Sequence, residues 1–252
     1  MSDRKAFINV LISLGDDHLV LGHRLSEWCG HAPMLEEDLS MPNMALDLLG
    51  QARKLYGYAV ELEAEGRTED DIAFLRTDRD YKNILMVERP NGDFAHTMLR
   101  QFYFAAYMRL FWESVLLNGD ARLKEFAGKA TKELAYHIRH CGEWLVRLGD
   151  GTDESAERMK LAVDALHPYT NELFDLTPDF QSCINAGLVP NPETLREDWN
   201  ASVEQVFDQA FLEVPDVPFP QTGGRTGHHT EAFGHLLSEL QYMQRAYPGL
   251  TW

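Results

Sequence analysis

The chain has 252 residues, of which 44% are hydrophobic and 25% charged, a composition that excludes disorder and supplies a sizeable core. Its formal net charge of −17 argues against nucleic acid or an anionic membrane surface as partner, since both select for basic patches.

Read in chain order, the pattern is helical almost throughout. Phe7, Val10, Leu11, Leu14, His18, Leu21, Leu25 and Trp28 recur at intervals of three and four, which predicts a helix over 5–29 that "CGHAP" closes. Ser40 and Pro42 are read as opening a second helix that runs to Gly66. One or two short helices are expected in "TEDDIAFLRTDRDYKNILMVE", whose "TEDD" (68–71) reads as a helix start and solvated face. "PNG" is a turn, and Asp93 is the expected N-cap of a third long helix reaching about Leu117. A fourth covers 121–148 and ends at "GDG". Further helices are predicted at 153–174, at 178–186 with Thr177 as cap, at 192–213 with Asn191 as cap, and at 229–246. Residues 214–229, "VPDVPFPQTGGRTGHH", form the one long irregular stretch.

No alternating β-branched run is long enough for a sheet, and no repeat or linker divides the chain. The expectation is a single all-α domain over 1–252, a bundle of four long core helices plus shorter ones. In the third helix, "FYFAAYMRLFW" (102–112) is interrupted only by Arg109. A helix apolar all round either sits at the centre of a large core or shows one face to a partner protein. Cys29, Cys141 and Cys183 are odd in number and form no CxxC pair, so they read as reduced thiols. With no signal-peptide layout at the N-terminus and no run of ~18 apolar residues, a cytoplasmic protein is expected.

The chemistry-bearing stretch is "KELAYHIRHCGEW" (132–144). Ala130, Leu134, His137, Cys141, Leu145 and Leu148 fall on one helical stripe, which puts His137 inside and Glu133 at the edge. His140 lies about 100° round from the stripe centre, nearer solvent. A di-iron carboxylate bundle takes a Glu from each of two helices and Glu-x-x-His from each of the other two. Here the second helix offers Asp47 through Gly50, "DLLG", and the fourth offers Glu133 through Tyr136, "ELAY". Neither has the histidine. The third helix has no acidic residue from Phe94 to Trp112, and Asp16 and Asp17 on the first cannot complete a site alone. The reading is of a vestigial centre made of Asp17, Asp47, Glu133 and His137, without metal. These groups should stay inside and bond to one another, with His137 held by Glu133 or Asp47.

Longer stretches carry a family resemblance: "LGDDHLVLGHRLSEWCGHAP" (14–33), "LDLLGQAR" (46–53), "VERPNGDFAHT" (87–97), "KELAYHIRH" (132–140), "WLVRLGDGT" (144–152), "RTGHHTE" (225–231) and "ELQYMQRAYPG" (239–249). On these the chain resembles the structural subunits of bacterial phenylacetyl-CoA 1,2-epoxidases, ferritin-like proteins of phenylacetate degradation. The resemblance implies a non-catalytic chain with no cofactor or catalytic residue of its own. It implies as partners a catalytic subunit of the same fold holding di-iron, a small bridging subunit, and a flavin and iron–sulfur reductase using NADPH. A homodimer is a further possibility for the isolated chain. An oxygenase with its own metal site and an unrelated helical adaptor remain as alternatives.

Two other clusters hold candidate groups. His228, His229, Glu231 and His235 carry metal-donor atoms, against the simpler reading of a helix start with Glu231 at its positive end. The glycine-rich loop 222–227, "TGGRTG", could hold a phosphate of coenzyme A, but it matches no phosphate-binding fingerprint, and a turn into a helix is preferred.

Overall fold

The computed structural model describes residues 2–250. Four long helices form the frame: α1 (Ser2–Ser26), α2 (Leu35–Glu63), α5 (Phe94–Asn118) and α6 (Ala121–Gly149). Between them lie α3 (Glu69–Phe74) and α4 (Leu85–Glu88), and after them α7 (Asp153–Leu166), α8 (Pro178–Asn185), α9 (Arg196–Gln209), α10 (Glu231–Leu240) and α11 (Tyr242–Ala246). There is no strand among the described residues. The fold is all-α, as the periodicity predicts, and ferritin-like, as the resemblance implies.

α1 packs along α2, and α5 along α6. Each pair is antiparallel because the connection is short, and α2 and α6 join the pairs across a polar seam. Several helix starts form where local chemistry dictates them. Asp93 accepts from the His96 amide at 3.0 Å, Asp120 from Arg122 and Leu123 at 2.9 and 3.0 Å, and Thr177 from Phe180 at 3.2 Å.

Other boundaries differ from expectation. α2 begins at Leu35, so Pro42 lies inside it rather than opening it. The reason is tertiary. Glu37, in the first turn, is buried and accepts from Trp144 Nε1 at 2.9 Å and His140 Nε2 at 2.8 Å, which pins that turn onto α6. The predicted helix over 153–174 stops at Leu166 and continues as a 3-10 turn over His167–Phe174. Pro168 has no N–H to donate into the α pattern there. Residues Pro192–Leu195 are likewise 3-10 before α9, and the last predicted helix breaks at Gln241.

α5 settles the two readings of its aromatic run. Phe102, Phe104, Tyr107 and Phe111 are all buried, so none serves as an outward-facing anchor. Tyr103 lies against Trp199 and Phe207 of α9, and Tyr107 packs edge-on against Phe174 at 5.5 Å. The later helices supply the wall that a four-helix bundle alone lacks. Each such side chain contributes about 1.5–3 kcal/mol through burial. The buried apolar residues, from Ala6 to Leu237, form one continuous cluster.

Candidate functional site

The bundle centre is polar because each long helix brings an uncharged or carboxylate side chain to it. On α6 the stripe carries His137 into full burial. Its Nε2–H donates to Asp47 Oδ2 of α2 at 3.2 Å, and its Nδ1 accepts from Gln101 Nε2 of α5 at 3.0 Å. One turn along, Gln51 Nε2 of α2 donates to Glu133 Oε2 of α6 at 2.9 Å, and Lys129 holds the other Glu133 oxygen at 2.9 Å. α1 contributes His18, whose Nδ1–H donates to the Leu14 carbonyl at 2.6 Å while its ring meets Phe104 edge-on at 5.2 Å. Burial lowers the His18 pKa to about 4, so the imidazole is neutral.

Of the expected group, His137 bonds to Asp47 at the half-exposed rim, while Glu133 pairs with Gln51 and Lys129 and with neither of the other two. Asp17 does not join them. It binds Arg225 through both oxygens, at 3.1 and 2.7 Å, and accepts from the Ile84 amide at 2.8 Å. A carboxylate buried to this degree must find a cation, and the cation comes from the glycine-rich loop. Burial pushes the Asp17 carboxyl up to about 6, with Arg225 opposing the rise. Asp16 is satisfied separately by Arg76, by Tyr56 Oη at 2.6 Å and by the Lys82 amide at 2.8 Å.

The other two clusters are also committed internally. In the loop, the Gly223 and Arg225 amides donate to Glu172 Oε1 at 2.9 and 3.3 Å, so a carboxylate occupies the donors that a phosphate would need. His229 faces Glu88 Oε2 at 2.7 Å and the Tyr81 carbonyl at 3.0 Å. Burial works against its positive charge, but Glu88 prevails and raises its pKa above the ordinary value. Glu231 and His235 stand at the surface, 3.9 Å apart, and His228 bonds to Thr226. These four do not converge, because the buried Glu88 draws His229 inward. Glu88 also accepts from the Thr230 amide, starting α10 in place of a side-chain cap.

Kinship is decided by a match over the full chain. The family model described as "Phenylacetic acid catabolic protein" matches residues 1–252. The chain belongs to the phenylacetic acid catabolic protein family. Within it, the chain is 45% identical over 241 residues to a 1,2-phenylacetyl-CoA epoxidase subunit of Escherichia coli (strain K12), covering 96% of this chain and 97% of that one.

The resemblance associates this family with a di-iron centre, and the donors at this bundle centre do not fit one. Among the described residues no three His, Cys, Asp or Glu gather as a metal would require. Both nitrogens of His137 are engaged, and Glu133 is taken by Lys129 and Gln51. The acceptors left without a partner are His18 Nε2, Gln51 Oε1 and Gln101 Oε1. One imidazole nitrogen and two neutral amides cannot replace four carboxylates and two histidines. Sequence reasoning missed Gln51 and Gln101 because an amide in an apolar stripe carries no metal signal. His18 sat in the predicted stripe of α1 and was readable as buried.

Proposed function

We propose that this chain is the non-catalytic structural subunit of a phenylacetyl-CoA epoxidase complex, acting as one ferritin-like domain in the cytoplasm. It supports a catalytic subunit of related fold that carries the di-iron centre. The small bridging subunit and the NADPH-dependent flavin and iron–sulfur reductase complete the assembly. The observation that carries this reading is the donor set of the bundle centre: amides at Gln51 and Gln101, with Gly50 and Tyr136 where Glu-x-x-His would place histidines. The relative named as an epoxidase subunit, matched over nearly its whole length, supports the assignment to that complex.

A supporting chain acts through its surface. With the aromatic face of α5 enclosed, the partner's site moves to α2, where Leu35, Leu39 and Leu46 are 70%, 60% and 66% exposed. Their spacing places them within about 40° of one another on the helix. No helix among the described residues is long and apolar enough to cross a membrane, so lipid does not cover this stripe by spanning. Elemental analysis after iron-replete expression, on protein without an affinity tag, tests the metal-free reading. Well under one iron per chain is expected; stoichiometric iron with an oxo-bridged absorbance would make the chain an oxygenase in its own right. Co-purification with a second ferritin-like chain is expected, and its failure at physiological concentrations would favour an unrelated adaptor.

A further inference from the structure

Tyr103 is fully buried on α5, and its hydroxyl meets one group able to take a proton, Nδ1 of His167 at 3.1 Å. Were the imidazole to donate along this contact, the phenolic O–H would be left in the core without an acceptor. The satisfied arrangement has Tyr103 donating to a bare Nδ1, with the His167 proton on Nε2. Burial lowers the His167 pKa below its ordinary value, so the ring is neutral and its lone pair can accept. Other buried tyrosines are placed differently. Tyr56 donates to Asp16, itself bound by Arg76, and Tyr81 donates to the Ala73 carbonyl.

Trp199 of α9 completes the group. Its ring stacks on His167 at 6.4 Å and lies 5.4 Å from the Tyr103 ring. The indole N–H holds it there by donating to the Tyr103 carbonyl at 3.1 Å. His167 and Trp199 also line a cavity of about 250 Å³, together with Asn171, Asn200 and Glu204. Asn200 and Glu204 are exposed, so the cavity opens to solvent beside both rings.

We propose that Tyr103, His167 and Trp199 form a redox-active unit that carries an oxidising equivalent from this cavity to a neutral radical on Tyr103. A one-electron oxidant at the cavity takes an electron from the Trp199 indole. Tyr103 returns an electron to Trp199, and a phenol that has lost an electron is a strong acid. Its proton passes from Oη to His167 Nδ1. The products are the reduced oxidant, an oxyl radical on Tyr103 and an imidazolium on His167, with Trp199 restored. The oxidant is a high-potential one-electron acceptor, in a cell an oxygen-derived radical formed beside an oxygenase. That source rests on the function proposed above; the unit itself does not.

The test uses the full chain alone, so its outcome is separate from that of any reconstituted complex. A ruthenium(II) polypyridyl is photo-oxidised by an irreversible cobalt(III) quencher in the presence of the protein. Exposed tyrosines such as Tyr242 are oxidised as well, but their radicals meet in solvent and decay. A tyrosyl radical that outlives them is expected in electron paramagnetic resonance, coupled to an exchangeable proton from the imidazolium. Tyr103→Phe and His167→Gln should each lose this long-lived signal, and Trp199→Phe should slow its appearance. If a variant does not fold, the exchangeable coupling in the wild type decides. A long-lived radical that persists in either of the first two variants would overturn the proposal. So would a wild-type radical without the exchangeable coupling, or none that outlives those of the exposed tyrosines.

Discussion

Arg225 reaches Asp17 across 208 positions of sequence, and each is buried with the other as its main compensation. Removing one partner strands the other, whereas neutralising both removes the charge problem. Arg225→Met should therefore cost about 3–5 kcal/mol in urea unfolding. Adding Asp17→Asn should recover part of it, since the amide oxygen can still accept from the Ile84 N–H. A double variant as unstable as the sum of the two singles would contradict this. His18 gives a pH prediction. Its folded pKa of about 4 lies below the ordinary 6.5, so the unfolded chain binds the extra proton first as pH falls. The contribution of a neutral His18 is complete above pH 6.5 and is lost as pH falls to about 4, amounting to roughly 3 kcal/mol. The stability difference between wild type and His18→Leu should shrink through that window, and a flat difference would show that His18 does not titrate there.

Among the elements, the loop of residues 222–229 depends on close backbone approach. A Cβ at Gly224 would collide with the Asn83 carbonyl, so Gly224→Ala should lift the loop and release Arg225. A loss comparable to Arg225→Met is expected by thermal melting, and a silent substitution would mean the loop adapts. The same loop marks how far sequence reading reaches. Asp93 and Thr177 were legible as caps because their partners lie three residues away. The start of α2 was not, because Glu37 is fixed by His140 and Trp144, more than 100 residues on. His137 was legible as buried because the stripe of α6 is clean. Gln51 and Gln101 were not, because their roles depend on which carboxylate or imidazole faces them after folding. Arg225 reads as a loop residue, since nothing local distinguishes a solvated arginine from one that enters a core.

For the whole molecule, a closed interior stands apart from the exposed leucine stripe of α2, the proposed docking face. Leu39→Glu with Leu46→Glu should leave the melting temperature of the isolated chain within about 2–4 °C, as suits surface positions in a chain of this size. The same pair should abolish co-purification with the catalytic subunit; retained binding would place the interface elsewhere. Whether this chain supports catalysis without performing it is decided by reconstitution. The chain, the di-iron subunit, the small subunit and the reductase are combined, and phenylacetyl-CoA turnover is assayed with each component omitted in turn. Turnover is expected with all components present, little when this chain is left out, and none from this chain with the reductase alone. Full activity without this chain, or turnover by this chain and the reductase, would contradict the supporting role.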